Sequence, residues 1–310
     1  MSFAEDPAGS GGGLTGGREP VPPAGRVTVV IATRDRCAEL CRTLGHLAAL
    51  QERPPVVVVD NASRDGTVAA VRSRYPAVSL VRLARNRGAA ARNTGVRHAR
   101  TPYVAFSDDD SWWEPGSLSA AAALLDAHPD LGLLAARILV GPCGRPDPVN
   151  AVMAASPLPR GPLPGPRVLG FLACAAVVRR EAFLAVGGFS PLLFIGGEEE
   201  LLAYDLAAAG WAAAYVPGLA ARHFPSTARD AGRRRRLLAR NRALVAWLRR
   251  PAGAALAVTA GLALSTWREP GAARALAGLL IRMPRALAAR QVLPLDVEAG
   301  IRLVEGCRAV

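Results

Sequence analysis

Lysine is absent: all 38 basic side chains are arginine, and against 25 acidic ones they leave a formal charge of +13. With the heavy use of alanine, glycine and proline, this reads as a GC-rich coding bias and not as a function. The charge itself attracts polyanions, which leaves nucleic acid, an anionic membrane leaflet and phosphorylated substrates as candidates. The run Arg233-Arg234-Arg235-Arg236 is the strongest hint of nucleic acid. No nucleic-acid-binding motif accompanies it, so nucleic acid is not expected as a partner. Cysteine is scarce: Cys37, Cys41, Cys143, Cys174 and Cys307 are odd in number and without CxxC spacing. That excludes a disulfide framework and predicts reduced thiols in a cytoplasmic protein. The N-terminus lacks the pattern of a signal peptide and opens on a glycine-rich leader, residues 1–25, expected to be disordered. Long apolar runs are also missing. The longest charge-free stretch, Pro251 to Trp267, is alanine-rich and falls short of the roughly 20 apolar residues that span a bilayer. A spanning helix is not expected there; a helix lying on a membrane surface remains open.

What is present alternates between two periods. VTVVIA (Val27 to Ala32) and PVVVV (Pro55 to Val59) are β-branched runs separated by an amphipathic helix over Ala38 to Leu50. A helix over Thr67 to Arg74, a strand over Val78 to Leu83, a helix over Ala89 to Ala99 and a strand over Tyr103 to Phe106 continue the pattern. This β/α alternation predicts an α/β, doubly wound, mostly parallel sheet, with its site at the carboxyl ends of the strands. Polar motifs follow three of those strands directly: Thr33-Arg34-Asp35, Asp60-Asn61-Ala62-Ser63 and Ser107 to Asp110. A helix over Leu118 to Ala127 follows, and Gly141 to Pro166, dense in proline and glycine, predicts a long surface loop or a boundary. From Arg233 onward arginines alternate with Leu, Ala and Trp without a further acidic motif, as in helices on a surface.

Three adjacent aspartates after a buried strand repel one another, and a divalent cation is their natural partner. A solvated acidic turn is the alternative. Asp60 at a strand end could accept from a base or a ribose, while Asp65 or Thr67 caps the next helix. Arg85, Asn86, Arg92 and Asn93 surround the start of a helix, a composition suited to anions or, failing that, to solvent. Glu198-Glu199-Glu200 follows Gly196-Gly197; its carboxylates could serve as a general base or simply complement a helix dipole.

The ordered segments VTVVIATRDR, VVVVDNASRDGT, ARNRGAAARNTG, FSDDDSWWEPGSL, VVRREAFLAVGGF and GGEEELLAYDLAAAGW resemble glycosyltransferase family 2 over about residues 26 to 225. These are inverting nucleotide-sugar transferases with the GT-A fold. The resemblance implies that Thr33, Arg34, Asp35, Asp60, Asn61, Arg85, Asn86, Arg92 and Asn93 surround the nucleotide-sugar. Asp108 and Asp109 would face the ribose or sugar; Asp110, with Asp109 and His223, would hold a divalent cation, Mn2+ or Mg2+. Glu199 stands in the place of the catalytic base, with Glu198 the second candidate, and Leu201 replaces the second aspartate usual there.

The expected organisation is a catalytic domain over 26–228, with a nucleotide-binding half to about 115 and an acceptor half from 116, then a basic helical region over 229–310. The expected partners are a nucleotide-sugar donor and a hydroxyl acceptor that is a glycan, lipid-linked or a small molecule. Arg249, Arg250, Arg268, Arg274, Arg282 and Arg285 flank apolar runs, which fits either peripheral association with the inner face of a membrane or a set of soluble helices packed on the catalytic domain. The alternative from another class is a catalytically silent GT-A-fold binding protein at an anionic membrane surface.

Overall fold

The computed structural model describes residues 23–225, 231–269 and 271–308. Nearly all of the expected leader and the expected boundary at 228–229 lie outside the described residues.

Strands β1 (Val27–Thr33), β2 (Val56–Asp60), β3 (Ser79–Arg82) and β4 (Tyr103–Ser107) pair in parallel in the order β3-β2-β1-β4. They are joined by α1 (Cys37–Ala48), α2 (Thr67–Arg74) and α3 (Ala91–His98). The β-branched runs become strands because both faces of β1, β2 and β4 are covered, which suits continuous apolar segments. Register sets Thr33 beside Asp60 and Ile31 beside Ser107, so the polar motifs after β1, β2 and β4 emerge at one edge.

The second half adds β5 (Ser111–Trp113), α4 (Ser117–Ala127), β6 (Leu131–Val140), β7 (Arg145–Pro146), α5 (Pro148–Ala154), β8 (Ala176–Arg179), α6 (Arg180–Ala185), α7 (Glu198–Ala208) and β9 (Ala212–His223). The full order is β3-β2-β1-β4-β8-β6-β9-β5, with β7 on β6. β8 runs antiparallel to both β4 and β6, while β6 and β9 are parallel, so this half is mixed. The expected loop over 141–166 is partly ordered. Asp147 caps α5 by accepting from Val149 N at 2.9 Å, and Asn150 clasps both backbone groups of Ile138.

Two apolar layers sandwich the sheet. Leu40, Leu44, Trp113, Leu118 and Leu125 fill one; Phe106, Phe183, Phe189, Leu202 and Leu206 fill the other. α3 lies unusually close to the strands. A Cβ at Gly95 would stand 2.4 Å from Val30 Cγ1, so only glycine admits this approach, which carries Arg92 to the strand ends.

The C-terminal helices α8 (Ala231–Arg249), α9 (Ala252–Ser265), α10 (Ala272–Ala288) and α11 (Leu295–Arg308) make a third core. Leu244, Leu248, Leu279 and Ile301 meet Leu193, Leu201 and Tyr204 there. Leu201 is apolar because it packs in this core. The expectation that this region lacks organised acidic groups and offers Arg249 and Arg250 to a membrane is corrected. Arg249 is forked onto Asp205, and buried Arg250 bonds both Glu298 oxygens, at 3.1 and 3.0 Å, and Glu305 at 2.7 Å. Both are consumed as internal ion pairs, because a guanidinium buried at a helix end needs a carboxylate.

Candidate active site

The three aspartates after β4 have three different environments. Asp109 is held from two sides: Thr33 Oγ1 donates to its Oδ2 at 2.9 Å and Arg36 Nε lies 2.8 Å from its Oδ1. Burial, opposed by Arg36 and reinforced by Asp108 and Asp110, pushes its carboxyl up to about 7. Asp110 is 1% exposed and accepts from Arg36 Nη2 at 2.9 Å. Its Oδ1 lies 3.4 Å from His223 Nε2, which makes no hydrogen bond among the described residues. β5 and β9 pair Ser111 with His223, and that register is what carries the histidine to the aspartate. Asp108 is ion-paired to Arg92.

A shared divalent cation fits the Asp110 and His223 pair. Two ligand atoms each about 2.1 Å from one ion can be at most about 4 Å apart, and a carboxylate with an imidazole is a suitable donor set. Asp108, Cys174 and His223 also bring ligand atoms within 4.8 Å of one another. Burial raises the Cys174 thiol well above its ordinary value, and as a soft donor it suits Mn2+ or Mg2+ less well than carboxylate oxygens do. Arg36, although inside one of the quoted segments, received no role from sequence reasoning. Its signal is a second arginine two residues past Arg34, beside a strand end whose neighbour carries three carboxylates.

Arg92 connects this run to the glutamates. It is buried; although burial alone would depress its guanidinium, Asp108, Glu198 and Glu199 around it hold it above its ordinary value. Glu198 and Glu199 start α7 after Gly196 and Gly197, whose φ of 87° and 85° are left-handed and favour glycine. Glu199 Oε1 accepts from Ala173 N at 3.5 Å. Glu200 turns away and accepts from Tyr204 Oη at 2.5 Å. The loop before α7 is pinned from α8, where fully buried Asn241 donates to the carbonyls of Leu193, Ile195 and Gly196.

Burial, then Glu199, push the Glu198 carboxyl up to about 8; burial likewise raises Glu199. A folded-state value above the ordinary 4.5 means that protonation favours the fold. This stabilisation is fully present below about pH 4.5 and is lost as pH rises through about 8. Glu198→Gln, always neutral, is therefore expected to raise the melting temperature by about 3 °C or more at pH 8 and to leave it unchanged near pH 4. A difference independent of pH would contradict this.

Beside the aspartates, at the ends of β1, β2 and β3, is a cleft of about 620 Å3 lined by Arg34, Ser63, Arg64, Arg82, Arg85 and Asn86, with no carboxylate in its wall. Asp35 braces it, accepting from Arg64 N at 2.7 Å and donating its own N–H to Ser63 Oγ at 3.0 Å. Asp60 is fully buried behind the wall, accepting from Ser63 N at 3.1 Å and lying 3.4 Å from Arg82 Nε. Asn61 holds the loop over 86–88 through Arg87 N at 2.7 Å and Gly88 O at 3.1 Å. Asn93 spends both ends of its amide on the Phe189 backbone, each at 2.9 Å. Thr33, Arg92, Asp108 to Asp110, His223, Glu198 and Glu199 converge on one centre; Arg34, Arg85 and Asn86 line the adjoining cleft; and Asp35, Asp60, Asn61 and Asn93 fasten its frame.

The family model for glycosyl transferase family 2 matches residues 28–187. A relative from Mycobacterium tuberculosis, N-acetylglucosaminyl-diphospho-decaprenol L-rhamnosyltransferase, is 32% identical over 239 residues, covering 65% of this chain and 78% of the relative. The chain belongs to glycosyltransferase family 2. A mannosyltransferase from Pyrobaculum calidifontis, solved with GDP-Man and Mn2+, superposes on this glycosyltransferase with a TM-score of 0.57 at 22% identity, over 92% of this chain and 87% of that one. Staphylococcus aureus TarS 1-349, solved with UDP-GlcNAc, gives 0.55 at 19% identity, over 83% and 72%. The fold of this family-2 enzyme is the expected GT-A arrangement followed by C-terminal helices.

Proposed function

We propose that this enzyme transfers a sugar from a nucleotide-sugar to an acceptor hydroxyl with inversion, using Glu199 as general base. The observation that carries the reading is Arg92, a buried arginine ion-paired to Asp108 and close enough to Glu198 and Glu199 for their charges to raise its guanidinium. It ties a diphosphate-side acidic run to an acceptor-side carboxylate pair.

The catalytic domain is 26–228, divided near 115, and the basic helical region is 229–310. Arg34, Arg85 and Asn86 in the cleft wall bind the nucleotide, with Asp35, Asp60, Asn61 and Asn93 keeping that wall in shape. A basic wall without carboxylates favours a phosphate-bearing ligand. Asp108 and Asp109, with Thr33, orient the ribose and sugar. Asp110 and His223, with Asp109 beside them, would hold Mn2+ or Mg2+, which would supply Lewis-acid stabilisation of the departing diphosphate. Glu199, raised by burial, takes the acceptor proton as the acceptor oxygen bonds to the anomeric carbon. The bond from that carbon to the diphosphate oxygen breaks, and the nucleoside diphosphate leaves with the electron pair. Glu198, largely protonated at neutral pH, stabilises the pair by not adding a second charge.

A lipid-linked acceptor is favoured over a free sugar, supported by the decaprenol-linked substrate in the name of the Mycobacterium tuberculosis relative. Among the described residues no helix is long and apolar enough to cross a membrane. A silent binding protein would have no need for Glu198 and Glu199 beside Arg92. Thermal stabilisation by a panel of nucleotide-sugars tests the reading: one donor class is expected to raise the melting temperature with Mn2+ and clearly less without it. Equal shifts with and without the ion would contradict the metal role.

A further inference from the structure

We propose that the outer faces of α9 and α10, with Trp267 between them, seat the enzyme on an anionic bilayer. α9 contains no charged residue at all. A helix apolar on every side is ordinarily buried on every side. Here only Ala255 and Leu262 are buried, whereas Leu256, Ala257, Ala260, Gly261 and Leu264 form an exposed stripe at helical spacing. Leu264 is 71% exposed and Trp267, at the end of the same stripe, is 87% exposed. α10 packs against α9 and turns Ile281, 76% exposed, outward together with Leu280. Arg274 and Arg285 lie on the Ile281 face, seven residues before it and four after, and Arg268 follows Trp267; all three are exposed.

Exposed aliphatic side chains and a tryptophan, rimmed by arginine, match the interfacial helix pattern, in which the apolar face enters the headgroup boundary and the cations meet anionic lipid. Charge decides the occupant. From residue 252 to 288 the arginines are 268, 274, 282 and 285 and the sole acidic residue is Glu269. A second copy docked here would bring like charges together, whereas phosphatidylglycerol supplies the opposite sign. The proposal agrees with a lipid-linked acceptor but does not rest on it.

The test is co-sedimentation of the full chain with vesicles of phosphatidylglycerol and phosphatidylcholine, beside pure phosphatidylcholine, at low and high salt. The comparison variant carries Leu264→Asn, Trp267→Ser and Ile281→Asn, with its fold checked by circular dichroism. Wild type is expected to bind the anionic vesicles and to lose about tenfold or more on pure phosphatidylcholine or in high salt. The variant is expected to lose about tenfold or more on anionic vesicles while keeping the thermal shift from nucleotide-sugar. Should it misfold, Trp267→Ser alone carries the test, because that side chain supports no core. Absence of binding at low salt, equal binding by the variant, or a wild-type dimer that these substitutions split would overturn the proposal. Sugar transfer to a soluble acceptor is assayed separately, so failure of the donor reading registers independently.

Discussion

Glu199→Gln is expected to lower kcat by about 10²- to 10⁴-fold, the usual contribution of a positioned general base. Glutamine keeps the length of the side chain and the acceptor oxygen that faces Ala173 N, so α7 and the donor cleft stay as they are. Donor-induced thermal shifts should therefore be unchanged, and the loss should fall on kcat. Burial raises both members of the Glu198 and Glu199 pair, so the acid limb of the pH profile should lie above the ordinary carboxylate range, with activity rising as pH rises and the pair loses its proton. The variant should lose that limb. Wild-type turnover in Glu199→Gln together with abolished turnover in Glu198→Gln would move the base one residue back along α7.

Asp110→Ala is expected to lower transfer on the order of 10³-fold, since a metal contributes several kcal/mol to charge stabilisation and each 1.36 kcal/mol is about tenfold. Mn2+ affinity, read by calorimetry on the variant without donor, should fall with it. The fold should survive, because Arg36 still faces Asp109 and Thr33 still donates to it. Unchanged Mn2+ affinity would remove Asp110 from the cation site even if activity fell.

The parallel half of the sheet was legible because β1 and β2, its central pair, are buried on both faces and written mostly in valine and isoleucine. β6 and β9 escaped that reading: LGLLAARILV is leucine-rich and AAAYVPGLAARH alanine-rich, neither alternates, and they are strands because the sheet's two apolar layers cover them. The convergence of the polar motifs that end in the aspartate run was legible from their places directly after β1, β2 and β4, whereas the glutamates, which follow no strand, joined them only through the family resemblance. The distinct fates of the three aspartates were not, because they depend on Arg36, Arg92 and His223, which arrive from α1's approach, α3 and β9. Leu201 looked like a departure from the family until α8 supplied its packing partners. In the same way, Arg249 and Arg250 looked like surface charges until Asp205, Glu298 and Glu305 accounted for them.

The most direct test of the central claim is release of nucleoside diphosphate from a panel of radiolabelled nucleotide-sugars by the full chain, with Mn2+ and then with a chelator. At least one donor should be turned over in the presence of the ion, with turnover stopping when the ion is removed. No turnover of any donor that demonstrably binds, or turnover indifferent to the chelator, would contradict the account.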